Sequence, residues 1–294
     1  MLVAISLIAV STLELLLVSH QYLDDENYVS PDDMVAENFT ANAVDQQILK
    51  DKDPDYRVFN MAGDTYNEAR TSYFHKSVGG YHPAKLRIYQ DVIEKYLSVK
   101  PSPAILNMLN TKYIIVQDPQ TGQSTLIPNT DALGPCWLVK HVKILDGPVA
   151  EIKAIGQINL KDTAIVDRSF SKNVVQPQWD SLYSVRLAKY DNDTMEYEAN
   201  CGAPQFAVFS EIYYPKGWNV YLDGRKTEYC NVNYILRGLS LPAGKHSIKF
   251  VFEPASYKKG VKIGYIASFL VLIFFLGGLF LQWRHDKRSP AAIA

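Results

Sequence analysis

The chain is short of the residues on which most soluble enzymes build a recognisable site. Its 294 residues hold three cysteines, Cys136, Cys201 and Cys230. They lie too far apart for a CxxC ligand pair and are too few for a disulfide framework, so one bridge or buried, free thiols both stay open. The six histidines are scattered, with no HExxH and no cysteine partners, and no metal is expected. No Ser/His/Asp order, Walker-type loop or dinucleotide fingerprint occurs, so soluble hydrolysis and nucleotide binding have no support and no cofactor is expected. Charge of one sign is lacking as well. Thirty Lys and Arg against 31 Asp and Glu leave −1, and nothing argues for a nucleic-acid partner. There is no internal repeat and no low-complexity tract.

What the chain does have is tyrosine, 19 copies, and two long apolar runs. Residues 263–283, IGYIASFLVLIFFLGGLFLQW, carry no charge. At about 1.5 Å per residue they reach across ~30 Å of hydrocarbon. Lys258, Lys259 and Lys262 precede them, Arg284, His285, Lys287 and Arg288 follow, and Tyr265 and Trp283 sit where interface anchors belong. Residues 261–283 therefore read as a transmembrane helix.

Residues 1–18, MLVAISLIAVSTLELLLV, lack the basic opening and small-residue exit of a cleaved signal. Residues 1–19 read better as a second span, and as the last span of something larger. Glu14 is then an intramembrane acid facing other helices or a wet cavity. If the chain starts internally, Glu14 lies near the membrane surface instead. The short basic tail, 284–294, favours a cytoplasmic C-terminus, which puts residues from about 20 to 260 outside the cytoplasm. The expected location is the inner (cytoplasmic) membrane, with the bilayer itself as a partner.

Between the spans the patterning changes once. An acidic, loop-like start from residue 24 leads to a short helical pattern, AVDQQILKDK. YRVFNM alternates as a strand does, PAKLRIYQDVIEKYL (83–97) is amphipathic, and SPAILNMLN is a short helix. KYIIV and CWLVKHVKIL read as strands, and PVAEIKAIGQ as a helix running to Gly156. These predict an α/β subdomain over 20–165. Residues 166–257 are strand-rich, with turn signals at Asp223-Gly224 and Pro242-Ala243-Gly244, and predict a β-sandwich. The fold class is α+β: two transmembrane helices bracketing an extracytoplasmic α/β subdomain and a sandwich.

One stretch concentrates cations, TSYFHKSVGGYHPAKLRIYQ. His75, Lys76, His82 and Lys85 surround Gly79-Gly80 ahead of the helix expected from Pro83. Free backbone N–H groups at a helix N-terminus, plus these cations, suit a phosphate of a lipid carrier. The alternative is a turn that needs glycine, with its cations solvated or paired. A metal at His75 and His82 lacks a third ligand. In FSEIYYPKGW, Glu211 with Tyr213 and Trp218 suits contact with a sugar, or the core and edge of the sandwich.

The blocks YRVFN, NEARTSYFHKSVGGYHPAKLRIYQDVIE, ILNMLNTKYIIV, FSEIYYPKGWNVYLDG and NYILRGLSLPAGKHSIKFVFEP, with the closing apolar helix, resemble the C-terminal third of YfhO-type bacterial membrane proteins, in the form found in Bacteroidetes. The resemblance runs from about residue 14 to 283. It implies a multi-spanning parent similar to GT-C glycosyltransferases, which move a sugar from a polyprenyl-phosphate donor in cell-envelope glycan assembly. In such enzymes the catalytic carboxylate sits in a first outside loop that this chain does not match, so no catalytic residue is assigned. The resemblance implies partnership with a polyprenyl-phosphate sugar and a multi-spanning membrane protein. The alternative function is a non-catalytic, membrane-anchored glycan-binding or scaffolding module.

Overall fold

The computed structural model describes residues 2–23, 28–178 and 183–288. Met1, the start of the expected acidic loop (24–27) and the end of the expected tail (289–294) lie outside the described residues, as do residues 179–182. The chain forms two compact units, Met1–Leu86 with Leu109–Ala132, and Arg87–Met108 with Leu133–Ala294.

The first unit opens with α1 (Leu2–Tyr22), exposed along its described length. α2 (Pro31–Asn38) follows where a loop was expected. Its helix is started by Ser30, whose Oγ accepts from Asp33 N, and by Pro31 at the first helical position. α3 (Ala43–Ile48) is held by a reciprocal cap between Asn42 and Asp45. β1 (Arg57–Asn60), α4 (Arg70–Phe74), β2 (Thr111–Gln117) and β3 (Ser124–Pro128) complete the unit. β2 is the central strand of three, parallel to β1 and antiparallel to β3. Val44 and Ile48 of α3 pack on Val58 and Ile115 of this sheet.

The second unit holds α5 (Arg87–Val92), which runs into a π-helical turn (Ile93–Leu97), then α6 (Pro103–Met108), β4 (Cys136–Val139), β5 (His141–Leu145) and α7 (Pro148–Ala154). Next come β6 (Thr163–Asp167), a 3-10 helix (Arg168–Asn173), β7 (Tyr183–Tyr190), β8 (Thr194–Cys201), β9 (Gln205–Ile212) and β10 (Trp218–Leu222). β11 (Arg225–Thr227), β12 (Cys230–Val232), β13 (Leu236–Leu241), β14 (Gly244–Phe252) and α8 (Ala255–Arg288) close the chain. Two sheets form, β11-β10-β14-β8-β7 and β4-β9-β13-β12-β6-β5. Their facing side chains make one core: Met195, Tyr197, Ile248 and Phe250 from the first sheet, and Leu138, Phe209 and Leu239 from the second. That is the expected sandwich, and the α+β class holds.

Two details depart from the expectations. The sandwich does not begin near residue 166, because β4, β5 and β6 belong to its six-stranded sheet. CWLVKHVKIL is two strands at opposite edges of that sheet, broken where Lys140 N and His141 N both donate to Asp162 O. The three cysteines are buried and form no disulfide with one another, and burial pushes the Cys230 thiol up to about 12. β14 ends two residues before α8, so the sandwich and its apolar helix are joined by Glu253 and Pro254 alone. α8 contains the expected 263–283 run. Both α1 and α8 are long and apolar enough to cross a membrane.

Candidate functional site

The glycine loop of the first unit is a packed corner. The helix expected from Pro83 begins only at Arg87. The loop N–H groups are occupied: Gly79 N donates to Ser77 Oγ, Gly80 N to Thr65 O at 2.7 Å, and Tyr81 N to Glu68 O. Ala84 N donates to His82 Nδ1 at 3.1 Å. An anion cradle needs free N–H groups at a helix start, and neither condition is met here. The glycines answer to close approach instead. A Cβ on Gly79 would stand 2.0 Å from Thr65 O, and Gly80 has φ 93° with Ser72 Oγ 2.5 Å from a would-be Cβ.

The cations are largely engaged. His75 is buried, its Nε2 3.1 Å from Asp45 Oδ1, while Arg70 reaches Asp45 Oδ2 at 2.8 Å. Asp45 thus ties α3 to both ends of α4, to Arg70 at its start and to His75 just past its end. Lys76 Nζ donates to Pro54 O at 2.8 Å and pairs with buried Asp55 at 3.0 Å. Lys85 lies over the Tyr66 ring, 5.5 Å from its centroid.

The expected sugar contacts are placed differently in the second unit. Trp218 packs toward the sandwich core, with the Arg237 guanidinium 4.2 Å from its ring centroid and Phe252 beside it. Tyr213 meets Phe170 and Tyr229 edge-on, and burial raises its hydroxyl. Glu211, near the end of β9, is half-buried. In β10 the alternation turns Val220 inward and leaves Tyr221 on the outer face.

That outer face carries a polar groove which sequence reasoning missed. A shallow cavity of about 520 Å³ is lined by Ser184, Arg186, Asn200, Asp223, Lys245 and His246. A second, of about 380 Å³, holds Tyr221, Lys249 and Glu253 and shares Ser247 with the first. His246 Nδ1 is 2.8 Å from Asp223 Oδ2, and Asp223 Oδ1 accepts from Ser247 N. These bonds, the one to His246 foremost, hold the Asp223 carboxyl below the usual range. Arg186 pairs with Glu198, and Lys249 with Glu196 at 2.9 Å. Tyr221 donates to Glu253 at 2.5 Å, which lowers the Glu253 carboxyl. Oppositely charged groups are therefore paired with one another along the two cavities, with the Tyr221 ring in the second. The signal existed in the sequence as the outward half of each alternating strand. Which strands were neighbours was not visible.

Glu151 of α7 is the other residue that was missed. It is 4 % exposed, and its Oε1 has no hydrogen-bond partner. Burial, and then the charge of Asp167, push its carboxyl up to about 7, against one favourable N–H from Asp167. Among the described residues no group of three or more His, Cys, Asp or Glu is placed to hold a metal ion.

Residues 153–264 match the model of a family described as bacterial membrane protein YfhO. The match covers the end of α7, most of the sandwich and the start of α8, less than half of the chain. No curated protein and no solved structure matches it.

Proposed function

We propose that the chain is a YfhO-type membrane protein that serves sugar transfer from lipid-linked donors in cell-envelope glycan assembly, its sandwich facing outside the inner membrane. One observation carries the proposal: the family match runs through the grooved sandwich straight into an apolar helix, with a two-residue link between them. So short a link tethers the sandwich to the apolar helix and keeps it within reach of a membrane-held polyprenyl-phosphate sugar. Paired polar groups beside Tyr221 suit a ligand rich in hydroxyls.

The groove chemistry favours binding over catalysis within this chain. Asp223, Glu196 and Glu253 are all held below the ordinary carboxylate range by their partners. A carboxylate so stabilised is a weak base, and a poor donor of a proton near neutral pH. The glycan-binding module thus stands as the second reading, with transfer chemistry on a partner.

The test is titration of the full chain in nanodiscs with polyprenyl-phosphate sugars extracted from source membranes. Saturable binding is expected, weakened several-fold by Asp223→Asn with Tyr221→Ala. Equal binding by wild type and this double variant contradicts the role of the groove.

A further inference from the structure

α7 sits on its sheet through an acid. Of its residues, Pro148–Ala154, Glu151 alone is fully buried, while Pro148, Val149 and Lys153 are exposed and the others are partly buried. A surface helix ordinarily grips its sheet through an apolar stripe, and here a carboxyl takes that place. Its Oε1 has no hydrogen-bond partner. A neutral carboxyl in that position leaves one bond unmade, whereas an ionised one is an unpaired charge away from water, which costs far more.

The groups that face Glu151 do not relieve this. From β6, Asp167 donates its N–H, but its carboxylate opposes a second negative charge. From β12, the fully buried Cys230 thiol feels the Glu151 charge and gives it no partner. Tyr234, which also feels that charge, donates its hydroxyl to Asp91 of α5, and Asp91 pairs with Arg87 at 2.8 Å. Lys153 of α7 itself points to solvent. Burial and Asp167 thus leave the carboxyl titrating at about 7. The two ends of α7 are held differently. Gly147, with φ 82°, opens it, while at its close the Tyr96 hydroxyl donates to Ile152 O at 2.6 Å and the Tyr96 ring packs where Gly156 lacks a Cβ.

We propose that α7 is a pH-operated flap, seated on β6 beside Cys230 while Glu151 is neutral and lifting from its Gly147 end when Glu151 ionises, so that Cys230 is uncovered. The direction follows from the tighter hold of the seated form on the proton. The seat is complete at acid pH and weakens as the pH rises through about 7. The Tyr96 bond keeps the far end of α7 in place, so the motion is local and the rest of the sandwich stays folded. The flap is independent of the sugar reading.

Thiol labelling of the full chain in nanodiscs tests it, with N-ethylmaleimide at about pH 6 and about pH 8.5 and each labelled cysteine read by peptide mass. Cys201, buried in the sandwich core, reports the general rise of thiol reactivity with pH. The expected result is a several-fold rise of Cys230 labelling relative to Cys201 in the wild type, and none in Glu151→Gln. Hydrogen exchange of residues 148–156, corrected for the intrinsic effect of pH, should rise likewise in the wild type without any substitution. Three results overturn the proposal: a Cys230 to Cys201 ratio that does not change with pH, exchange in α7 that does not change, or an equal rise in Glu151→Gln.

Discussion

Glu151 shows how a single residue can set a pH dependence that its sequence context hides. On α7 the burial is inverted relative to polarity, with Val149 79 % exposed and Glu151 4 % exposed. Its folded carboxyl titrates at about 7, above the ordinary value, so the folded state binds the proton more tightly than the unfolded chain does. The stability this adds is fully present below about pH 4.5 and is lost as the pH rises through about 7. The loss amounts to about 3 kcal/mol across that window. Glu151→Gln should therefore be the more stable protein at pH 8, with the gap closing toward pH 5. Thermal unfolding of the detergent-solubilised chain at the two pH values measures this. A gap that does not change with pH would show that Glu151 does not titrate in the window. The glycine pair teaches a related lesson. Gly79-Gly80 was legible as a special turn, but whether its N–H groups were free depended on Ser77 beside it and on Thr65, fifteen residues upstream of Gly80.

At the scale of elements, the Asp223-Gly224 turn and the helices at α3, α6 and α7 were legible, whereas Ser30-capped α2 and strand partnership were not. Asp223-Gly224 forms the expected hairpin turn between β10 and β11, with φ 51° and 77° at its two residues. Asn233-Tyr234 makes a similar left-handed turn between β12 and β13, with φ 50° and 72°, and no glycine marks it. Asn233 explains itself only in three dimensions. Its side-chain oxygen accepts from Ile165 N at 2.9 Å, and its own N donates to Ile165 O, so the buried turn is stitched to β6. Tyr234 is anchored by a 2.7 Å bond to Asp91 of α5. Asn233→Ala leaves the Ile165 N–H unsatisfied and puts a Cβ-bearing residue without local compensation in the left-handed region. We expect a cost of about 2–3 kcal/mol in thermal unfolding. Asn233→Gly should cost less, because it loses the bond and keeps the backbone free. Equal losses would mean that the backbone conformation is irrelevant there. The same limit explains CWLVKHVKIL, where a strand-like run hid a break at Lys140 whose carbonyl partner, on Asp162, is distant in sequence.

For the whole molecule, the long apolar helices were the most legible feature, because runs of about twenty largely apolar residues need no tertiary partner to declare themselves. The sandwich was legible from period-two alternation. Its six-stranded sheet was not, since three of its strands come from residues read as another subdomain. The proposed outside placement of the sandwich predicts that protease added to intact spheroplasts removes it, while α8 and its basic end stay protected. Full protection of the sandwich in spheroplasts that are cut after permeabilisation would place it in the cytoplasm and end the sugar reading. The most direct measurement of the central claim is the pool of polyprenyl-phosphate sugars in cells lacking this protein. One lipid-linked sugar should accumulate, and a surface glycan should lose the same sugar. Wild-type chain should restore both, and the Asp223→Asn, Tyr221→Ala double variant should not. An unchanged lipid-linked pool with unchanged surface glycans would contradict it.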